Sequence, residues 1–508
     1  MFYICIHESF CIPALKNSHP IEVEVGHPSE VDEIFDNISY NKGASVIRML
    51  HDFIGRDAFK TGMQHYLTTY SYKNTSTEDL WASLETASGK PVGKVMTTWT
   101  SQMGFPIVHV DSMTDGDGKT VLTLNQEKFN ADGSASEAGY MWCIPIKILD
   151  DTGKVTEILM ETKETIVTLE NIKWFKLNPN FVGYYRVHYK NQKDLDALKK
   201  AIENKVLSEV DRLGLIDDTY ALVQAGKATT DDALELIKAC KNETSYVVWS
   251  CIIKCLGCLR TILAHDEDLD DKYKAFAISL MGNIVEQVGW NANAEESHVT
   301  SLLRAKVLSV MGNYGHPATV MEAKKRFADH YNDKAQIPAD LRGAVYRTVA
   351  AHGGQDAYDQ ILDLFRRTDL HEEKDRLSRC LGASQDLDVL QKVLDFAMSD
   401  EIRFQDTPWV VSGVSHNLKG RQLAWQFLQS NYGQIQGRYK TGALLTRICK
   451  FATDCLTDKD QAHQVETFFQ ENFNPGERTI KQCVENILLN AKWFERDEQC
   501  IREFFNKQ

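Results

Sequence analysis

The sequence predicts a multidomain α+β protein with a helical N-terminal part, a small β-sandwich and a large all-α solenoid of the HEAT or armadillo kind. This prediction depends on two changes in the spacing at which apolar residues recur along the sequence. The period is helical up to residue 103, close to two residues between 105 and 189, and helical again to the end. Because 508 residues are too many for one hydrophobic core, about three domains are expected.

The N-terminal part reads as helical, starting beside Tyr40. Behind this tyrosine, apolar residues recur at i, i+3, i+4, i+7 and i+8, which defines one face of an amphipathic helix: Val46, Met49, Leu50, Phe53 and Ile54. Further along, Thr75 and Glu78 have the spacing of a capping box. Gly104 and Pro106 form a typical helix stop.

Short strands are predicted between residues 104 and 189. Asp115-Gly116-Asp117-Gly118 is a hairpin turn, and so is the stretch at 150–153. The expected strands lie at 107–110, 120–124, 142–149, 155–160, 165–169, 174–177 and 182–189. Several short strands at this spacing favour a small β-sandwich.

Residues 190–508 show helix after helix, joined by short polar loops. A helical run of this length without one large core favours stacked helix pairs in a HEAT-like or armadillo-like solenoid. No clean sequence period is visible, so this prediction depends on length and helix density.

Composition excludes several classes of partner. Acidic residues number 71 against 57 basic ones, a formal net charge of -14, which argues against nucleic acid or an anionic membrane as the main partner. No apolar run approaches the roughly 18 to 20 residues that span a bilayer, and the N-terminus lacks the basic region of a signal peptide. Twelve cysteines scattered without a framework predict reduced thiols in a cytoplasmic protein.

A zinc-peptidase helix would carry His-Glu-x-x-His, and the sequence has no such motif. The nearest match is His7-Glu8, with Cys11 where the second histidine would stand and Glu30 at the distance of a third ligand. Prolines between them break the helices that such a site needs: Pro13, Pro20 and Pro28. We therefore expect no metal here.

Three cysteines share one face of a predicted helix, Cys251, Cys255 and Cys258, and His265 falls on roughly the same face. A metal site is one interpretation. A straight helix, however, spreads these residues over too great a length for one ion, so buried apolar thiols are the favoured interpretation.

Blocks of sequence from about residue 14 to the end resemble one enzyme family. They include Tyr-x-Lys-Gly-Ala at 40–44, Gly-Tyr-Tyr-Arg-Val at 183–187 and Asp-Arg-Leu-Gly-Leu-Ile-Asp-Asp at 211–218, with others at 19–23, 26–35, 99–100, 103–106, 477–480 and 485–490. The family is that of the zinc aminopeptidases related to aminopeptidase N, and the resemblance favours its puromycin-sensitive branch.

The resemblance implies an architecture and one site residue. Residues 14–103 would be the C-terminal helical part of a thermolysin-like catalytic domain, 104–189 the β-sandwich, and 190–508 the HEAT-like C-terminal domain, with 1–13 outside the family. Tyr40 would stabilise the transition state by donating a hydrogen bond to the oxyanion of the tetrahedral intermediate. On spacing alone, Tyr40 also fits a purely structural role.

The family removes N-terminal amino acids from peptides with zinc as its cofactor. Because this chain has neither His-Glu-x-x-His nor the family's Gly-Ala-Met-Glu-Asn segment, we expect a partial form that binds no zinc and is inactive alone. The alternative is a non-catalytic solenoid that binds peptides or a protein partner. Without its other lobe, the catalytic-domain remnant would expose the apolar stripe behind Tyr40, which is a second surface for a protein partner.

Overall fold

The computed structural model of the protein contains helices and two small sheets, and the chain divides into two units, residues 1–240 and 241–508. The structure describes residues 10–24, 34, 36–135, 139–263, 266–293, 295–440, 442–473 and 476–507. The predicted α+β fold class is confirmed.

The first unit begins with a helical subregion. A π-helical turn, Ile38–Lys42, leads directly into α1 (Gly43–Ile54), which is followed by α2 (Arg56–Thr69), α3 (Thr77–Ser88) and α4 (Val92–Thr100). Helix α1 ends at Gly55, whose φ of 86° only glycine adopts readily.

The capping box of α3 differs from the predicted one. Ser76 is the N-cap and Asp79 its partner: the Ser76 amide donates to the Asp79 carboxylate at 2.8 Å. Thr75 and Glu78 have the same spacing, so the sequence pattern fits two registers. The Tyr70 hydroxyl also donates to Asp79, at 3.0 Å, which favours the observed register.

The predicted strands form two sheets. Strands β1 (Pro106–Thr114), β2 (Lys119–Lys128), β5 (Glu164–Glu170) and β7 (Arg186–Tyr189) make a sheet of order β5-β2-β1-β7, in which only the β1–β7 pair is parallel. Strands β3 (Ile144–Asp150), β4 (Val155–Met160) and β6 (Phe175–Leu177) make an antiparallel sheet of order β4-β3-β6.

Two buried polar side chains connect these sheets. Gln126 on β2 donates to the Trp142 carbonyl at 2.9 Å and accepts from the Trp142 amide, just before β3. The Tyr189 hydroxyl on β7 accepts from the Leu177 amide on β6 at 2.9 Å. Both contacts satisfy buried backbone groups that strand pairing leaves open.

The stripe of α1 is buried, so the expectation that it is exposed is wrong. Its residues Val46, Met49 and Leu50 retain 2% or less of their surface, because the helix packs within the first unit. An aromatic cluster beside it joins α4 to the sheets: Phe10, Trp99, Phe105, Trp142 and Tyr184, with Phe10 stacked on Tyr184 at 4.4 Å between ring centroids.

Three helices complete the first unit: α5 (Gln192–Glu203), α6 (Glu209–Gln224) and α7 (Thr230–Lys238). Helix α6 is buried on nearly every face. Its sequence does not predict this burial, because the helix carries four acidic residues and one arginine.

The second unit is all helix in the part that the structure describes. Its helices are α8 (Tyr246–Ile262), α9 (Glu267–Val288), α10 (His298–Asn313), α11 (Pro317–Tyr331), α12 (Ala339–His352), α13 (Gly354–Arg367), α14 (His371–Cys380), α15 (Leu387–Met398), α16 (Thr407–Ser415), α17 (Arg421–Tyr439), α18 (Ala443–Thr453), α19 (Lys459–Glu471) and α20 (Glu477–Asn506). Neighbours in sequence pack on one another around a continuous apolar core from Leu308 to Ile487.

Within that core, two glycines set a close helix crossing. A Cβ added to Gly382, in the turn after α14, would lie 2.3 Å from the carbonyl carbon of Gly413 in α16. Only glycine permits this approach. Among the described residues, no helix is both long enough and apolar enough to cross a bilayer.

Candidate functional site

Tyr40 lies in the middle of the π-helical turn, with 62% of its surface exposed. A π-helical segment is rare and is found frequently at functional sites, because the wider turn changes the direction of its side chains. The buried face of α1, which continues this turn, anchors it to the rest of the unit. The fold therefore presents the phenol to solvent from a rigid support.

Asp36 holds the start of this turn. Its Oδ1 accepts from the amides of Ile38 and Ser39 at 3.0 and 2.9 Å, and its Oδ2 lies 2.6 Å from Nε2 of His19. Burial raises the pKa of Asp36, but the hydrogen bonds from His19 and from the Ser39 amide outweigh it and leave the pKa below its usual value.

Lys42 ends the turn with a fully buried ammonium group. Its Nζ donates to the carbonyl of Gln102 at 3.1 Å. Burial lowers the pKa of Lys42 to about 7, and the positive charge of Lys128 adds to the effect. The side chain fixes the turn against the loop after α4.

Arg48, in the second turn of α1, connects the helix to the loop between β6 and β7. Its Nη1 donates to the carbonyl of Phe181 at 2.7 Å and its Nη2 to that of Asn180 at 3.0 Å. Both residues have positive φ, 48° and 57°, and so does Asn178 at 55°. Such backbone is strained and persists where its surroundings determine it strongly.

Further contacts fix this loop. The Asn178 side chain exchanges two hydrogen bonds with Gly183, at 3.0 and 2.7 Å, and the Asn180 amide donates to Asp211 at 2.6 Å. Asp211 is also 3.1 Å from Nζ of Lys176. The loop is thus clamped from α1 on one side and from α6 on the other.

A buried charge network continues from the loop into α6. Arg186 on β7 donates to Asp217 and, at 3.0 Å, to Asp218, and its guanidinium lies 4.1 Å from the centre of the Phe10 ring. Burial raises the pKa of Asp218 to about 6, although Arg186 and Lys176 act to lower it. The blocks at 183–187 and 211–218, distant in sequence, thereby form one structural element.

Metal ligands are the next requirement of the family's chemistry. They include no group of three or more histidine, cysteine, aspartate or glutamate side chains arranged to hold a metal ion. Of the earlier candidates, His7, Glu8, Glu30 and His265 lie outside the described residues, while Cys11 is exposed. Cys251 and Cys255 are buried, and Cys258 is half-buried. The described residues therefore do not fit a zinc ion.

Comparison with known protein families now identifies the chain. The model for an ERAP1-like C-terminal domain matches residues 174–489, and that for the peptidase family M1 domain matches residues 3–99. The chain belongs to the M1 aminopeptidase family. The second match includes residues 3–13, for which the sequence blocks above show no resemblance.

Members of the M1 family are similar over nearly the whole chain. Aminopeptidase M1 of Arabidopsis thaliana is 36% identical over 96% of this chain and 57% of its own length. Aminopeptidase M1-A of Oryza sativa subsp. japonica is 36% identical over 96% and 56%, and glutamyl aminopeptidase of Homo sapiens is 32% identical over 97% and 52%. The chain thus spans about half the length of the curated relatives it matches.

Within this M1 chain, the structure places Tyr40 where the sequence put it, at the entrance of α1. Sequence reasoning missed the π-helical turn and three residues that fix it: His19, Asp36 and Lys42. All three lie within or beside the blocks that resemble the family, so the resemblance could have singled out these residues. The His19–Asp36 and Lys42–Gln102 contacts join positions 17 and 60 residues apart, which no local pattern reveals, whereas the contacts of Asp36 with the Ile38 and Ser39 amides are local.

Proposed function

We propose that this chain supplies the oxyanion-binding tyrosine and the peptide-binding helical domain of an M1 aminopeptidase, and that the chain by itself binds peptides without hydrolysing them. The observation that carries the proposal is Tyr40, exposed on a π-helical turn whose ends are fixed by Asp36 and Lys42. The relatives' shared name, aminopeptidase, gives the reaction class.

Tyr40 would donate its phenol proton to the oxygen on which negative charge develops when an amide carbon becomes tetrahedral. Such a donor accelerates the reaction only if it is held in place before the charge forms. The contacts of Asp36 with two amides and with His19 provide that rigidity on one side. The Lys42 contact to Gln102 provides it on the other.

Zinc would supply the activated water in the family, but the described residues do not fit it and the sequence has no His-Glu-x-x-His. An oxyanion donor without a nucleophile has nothing to stabilise. This supports the proposal that the chain as given binds no zinc and is inactive alone.

Binding is assigned to the helices after the sandwich. In the second unit, consecutive helices pack on one another along one core from Leu308 to Ile487, an arrangement that supports a HEAT-like solenoid, and we assign peptide binding to this unit. The eleven cysteines that the structure describes are thiols, which supports a reducing, cytoplasmic location. We keep the puromycin-sensitive branch as part of this proposal, on the sequence blocks alone.

One assay tests both the peptide-binding role and the proposed inactivity of the chain. The purified chain and its Tyr40→Phe variant are incubated with aminoacyl fluorogenic reporters, with and without added Zn²⁺, while a fluorescent peptide reports binding by anisotropy. We expect peptide binding by both proteins and turnover by neither.

Three other outcomes would each contradict at least one part of the proposal. Zinc-dependent turnover that Tyr40→Phe abolishes would refute inactivity but support the role of Tyr40. Turnover that the variant leaves unchanged would refute both. Failure to bind any peptide would refute the binding role and leave only a structural one.

A further inference from the structure

Two histidines of the first unit meet on one face of the four-stranded sheet, and the proposed function uses neither. His109 on β1 and His188 on β7 are partners in the register of the parallel strand pair, so their side chains leave the same face. Their Nδ1 atoms lie 2.9 Å apart, and their ring planes are inclined by 67°. Both residues are half-buried, so part of each side chain is in reach of solvent.

The contact of His109 with Glu127 decides where the hydrogen of His109 lies. Nε2 of His109 is 3.0 Å from Oε1 of Glu127 on β2, and a carboxylate accepts, so Nε2 is the donor. In the neutral ring, Nδ1 then has a lone pair, and it accepts from Nδ1 of His188. Nε2 of His188 has no hydrogen-bond partner in the part of the chain that the structure describes. The pair therefore presents two lone pairs side by side once the hydrogen of His188 moves from Nδ1 to Nε2 through water.

The surroundings favour neutral rings. Burial lowers the pKa of His109 and lowers that of His188 to about 4, and the charges of Lys227 and Lys190 act in the same direction. Glu127 has the opposite effect on both rings, but its Oε1 is shared with Nζ of Lys227, at 3.0 Å. Neutral imidazole is the form in which histidine binds a metal ion.

The spacing of the two nitrogens fits a single metal ion. Transition metals bind imidazole nitrogen at about 2.0–2.1 Å, so two nitrogens at a right angle around one ion lie about 2.8–3.0 Å apart. Two corners of a tetrahedron are about 3.3–3.4 Å apart at the same bond length. The observed 2.9 Å between the Nδ1 atoms corresponds to a right angle. Tetragonal sites of Cu²⁺ and Ni²⁺ have this angle, whereas Zn²⁺ prefers a tetrahedron.

Glu127 provides a second feature of metal sites. A histidine that binds a metal usually donates its other ring N–H to a carboxylate, which fixes the ring and makes the ligating nitrogen more basic. His109 and Glu127 already have this arrangement. The pair supplies two ligands and leaves the other positions of the ion to water, so it requires no third side chain.

We propose that His109 and His188 form a binding site for a divalent transition metal ion, with Cu²⁺ and Ni²⁺ preferred over Zn²⁺, and that Glu127 is the positioning residue for His109. The ion replaces one hydrogen bond between the rings by two nitrogen–metal bonds. The displaced hydrogen passes to Nε2 of His188, so binding to the neutral pair takes up and releases no net proton. The competing interpretation is a hydrogen bond that joins β1 to β7 without any ligand.

Titration calorimetry of the full chain with Ni²⁺, which does not oxidise thiols, measures the binding. We expect His109→Gln and His188→Gln each to weaken the binding by about tenfold or more, because each removes one of two ligands. Glu127→Gln keeps an oxygen acceptor for His109 but removes its charge, and should weaken binding by about tenfold. His65→Gln, at an exposed histidine of α2, is the matched control and should leave the affinity unchanged.

Cu²⁺ gives a readout that does not depend on any variant. Electron paramagnetic resonance of the wild-type chain with less than one equivalent of Cu²⁺ should show coupling to two nitrogens. Cu²⁺ should also compete with Ni²⁺ for the site more effectively than Zn²⁺ does. Thermal unfolding without metal shows whether each variant is folded. If a histidine variant unfolds, the resonance spectrum and the competition decide.

Four outcomes would overturn the proposal. They are an unchanged Ni²⁺ affinity in the folded histidine variants, a Cu²⁺ spectrum with one nitrogen or none, Zn²⁺ bound at least as tightly as Cu²⁺, and a loss in His65→Gln equal to that in His188→Gln. The last result would mean adventitious binding by surface histidines.

Discussion

Arg48 donates from its guanidinium to the carbonyl of Phe181, 133 residues away, at 2.7 Å. This bond joins the helix behind Tyr40 to a loop whose backbone is in the left-handed region. The position of the candidate catalytic turn is therefore coupled to the sheets of the same unit, and the coupling passes through a charged donor.

Removing that donor should loosen the first unit. Arg48→Met keeps the apolar stem but removes the donor of the part-buried Phe181 carbonyl, and we expect a loss of about 1–2 kcal/mol in the free energy of unfolding. Urea unfolding measures it. Arg56→Met, at an exposed position on the next helix, is the matched control and should change stability by less than about 0.5 kcal/mol. Equal effects of both variants would contradict the clamp.

Lys42 should make stability depend on pH above neutrality. Its pKa is about 7 in the folded chain against 10.5 ordinarily, so between these values the unfolded chain binds more protons. Stability should therefore rise as pH increases from 7 toward 10, by at most about 1.4 kcal/mol per pH unit.

Lys42→Met should remove that rise, because methionine fills similar space without a charge, and should raise stability most at and below pH 7. Urea midpoints at pH 6, 7, 8, 9 and 10 give the slope. Lys60→Met, at an exposed site on α2, is the control and should keep the wild-type slope. A slope that survives in Lys42→Met would assign it to another group.

Asp36 should control local order around Tyr40. Asp36→Ala loses both amide contacts and the contact with His19, and should cost about 1–2 kcal/mol, as loss of a helix cap does. Hydrogen exchange of the Ile38 and Ser39 amides should then be about tenfold faster. Asp36→Asn retains an oxygen acceptor for these amides and should show a smaller change. Equal exchange in the two variants would mean that the amide contacts do not hold the turn.

The close approach of Gly382 and Gly413 should make the second unit sensitive to one methyl group. Gly382→Ala would force an atom to within 2.3 Å of the neighbouring backbone, and we expect it to cost about 1–3 kcal/mol or more. Gly433→Ala, inside α17 with open space around the added atom, should stabilise by about 1 kcal/mol. Thermal unfolding compares them, and a neutral Gly382→Ala would show that the crossing can relax.

Local sequence predicted the elements well because their signals are local. The apolar stripe of α1, the turn at Asp115 to Gly118 and the alternation of β2 each follow from neighbouring residues. The predicted capping box of α3 is one residue away from the observed one, because two registers satisfy the sequence pattern and the contact of Tyr70 with Asp79 belongs to the observed register.

The sequence by itself determined the order of helical and strand regions, the family resemblance and the identity of Tyr40 as the candidate site residue. Only the tertiary structure decided that the α1 stripe is buried, that Tyr40 lies on a π-helical turn, and that Arg186 meets Asp217 and Asp218. The reason is physical. Periodicity follows from backbone geometry within a few residues, whereas burial and charge pairing depend on which distant segments pack together, and a local pattern does not specify its partner.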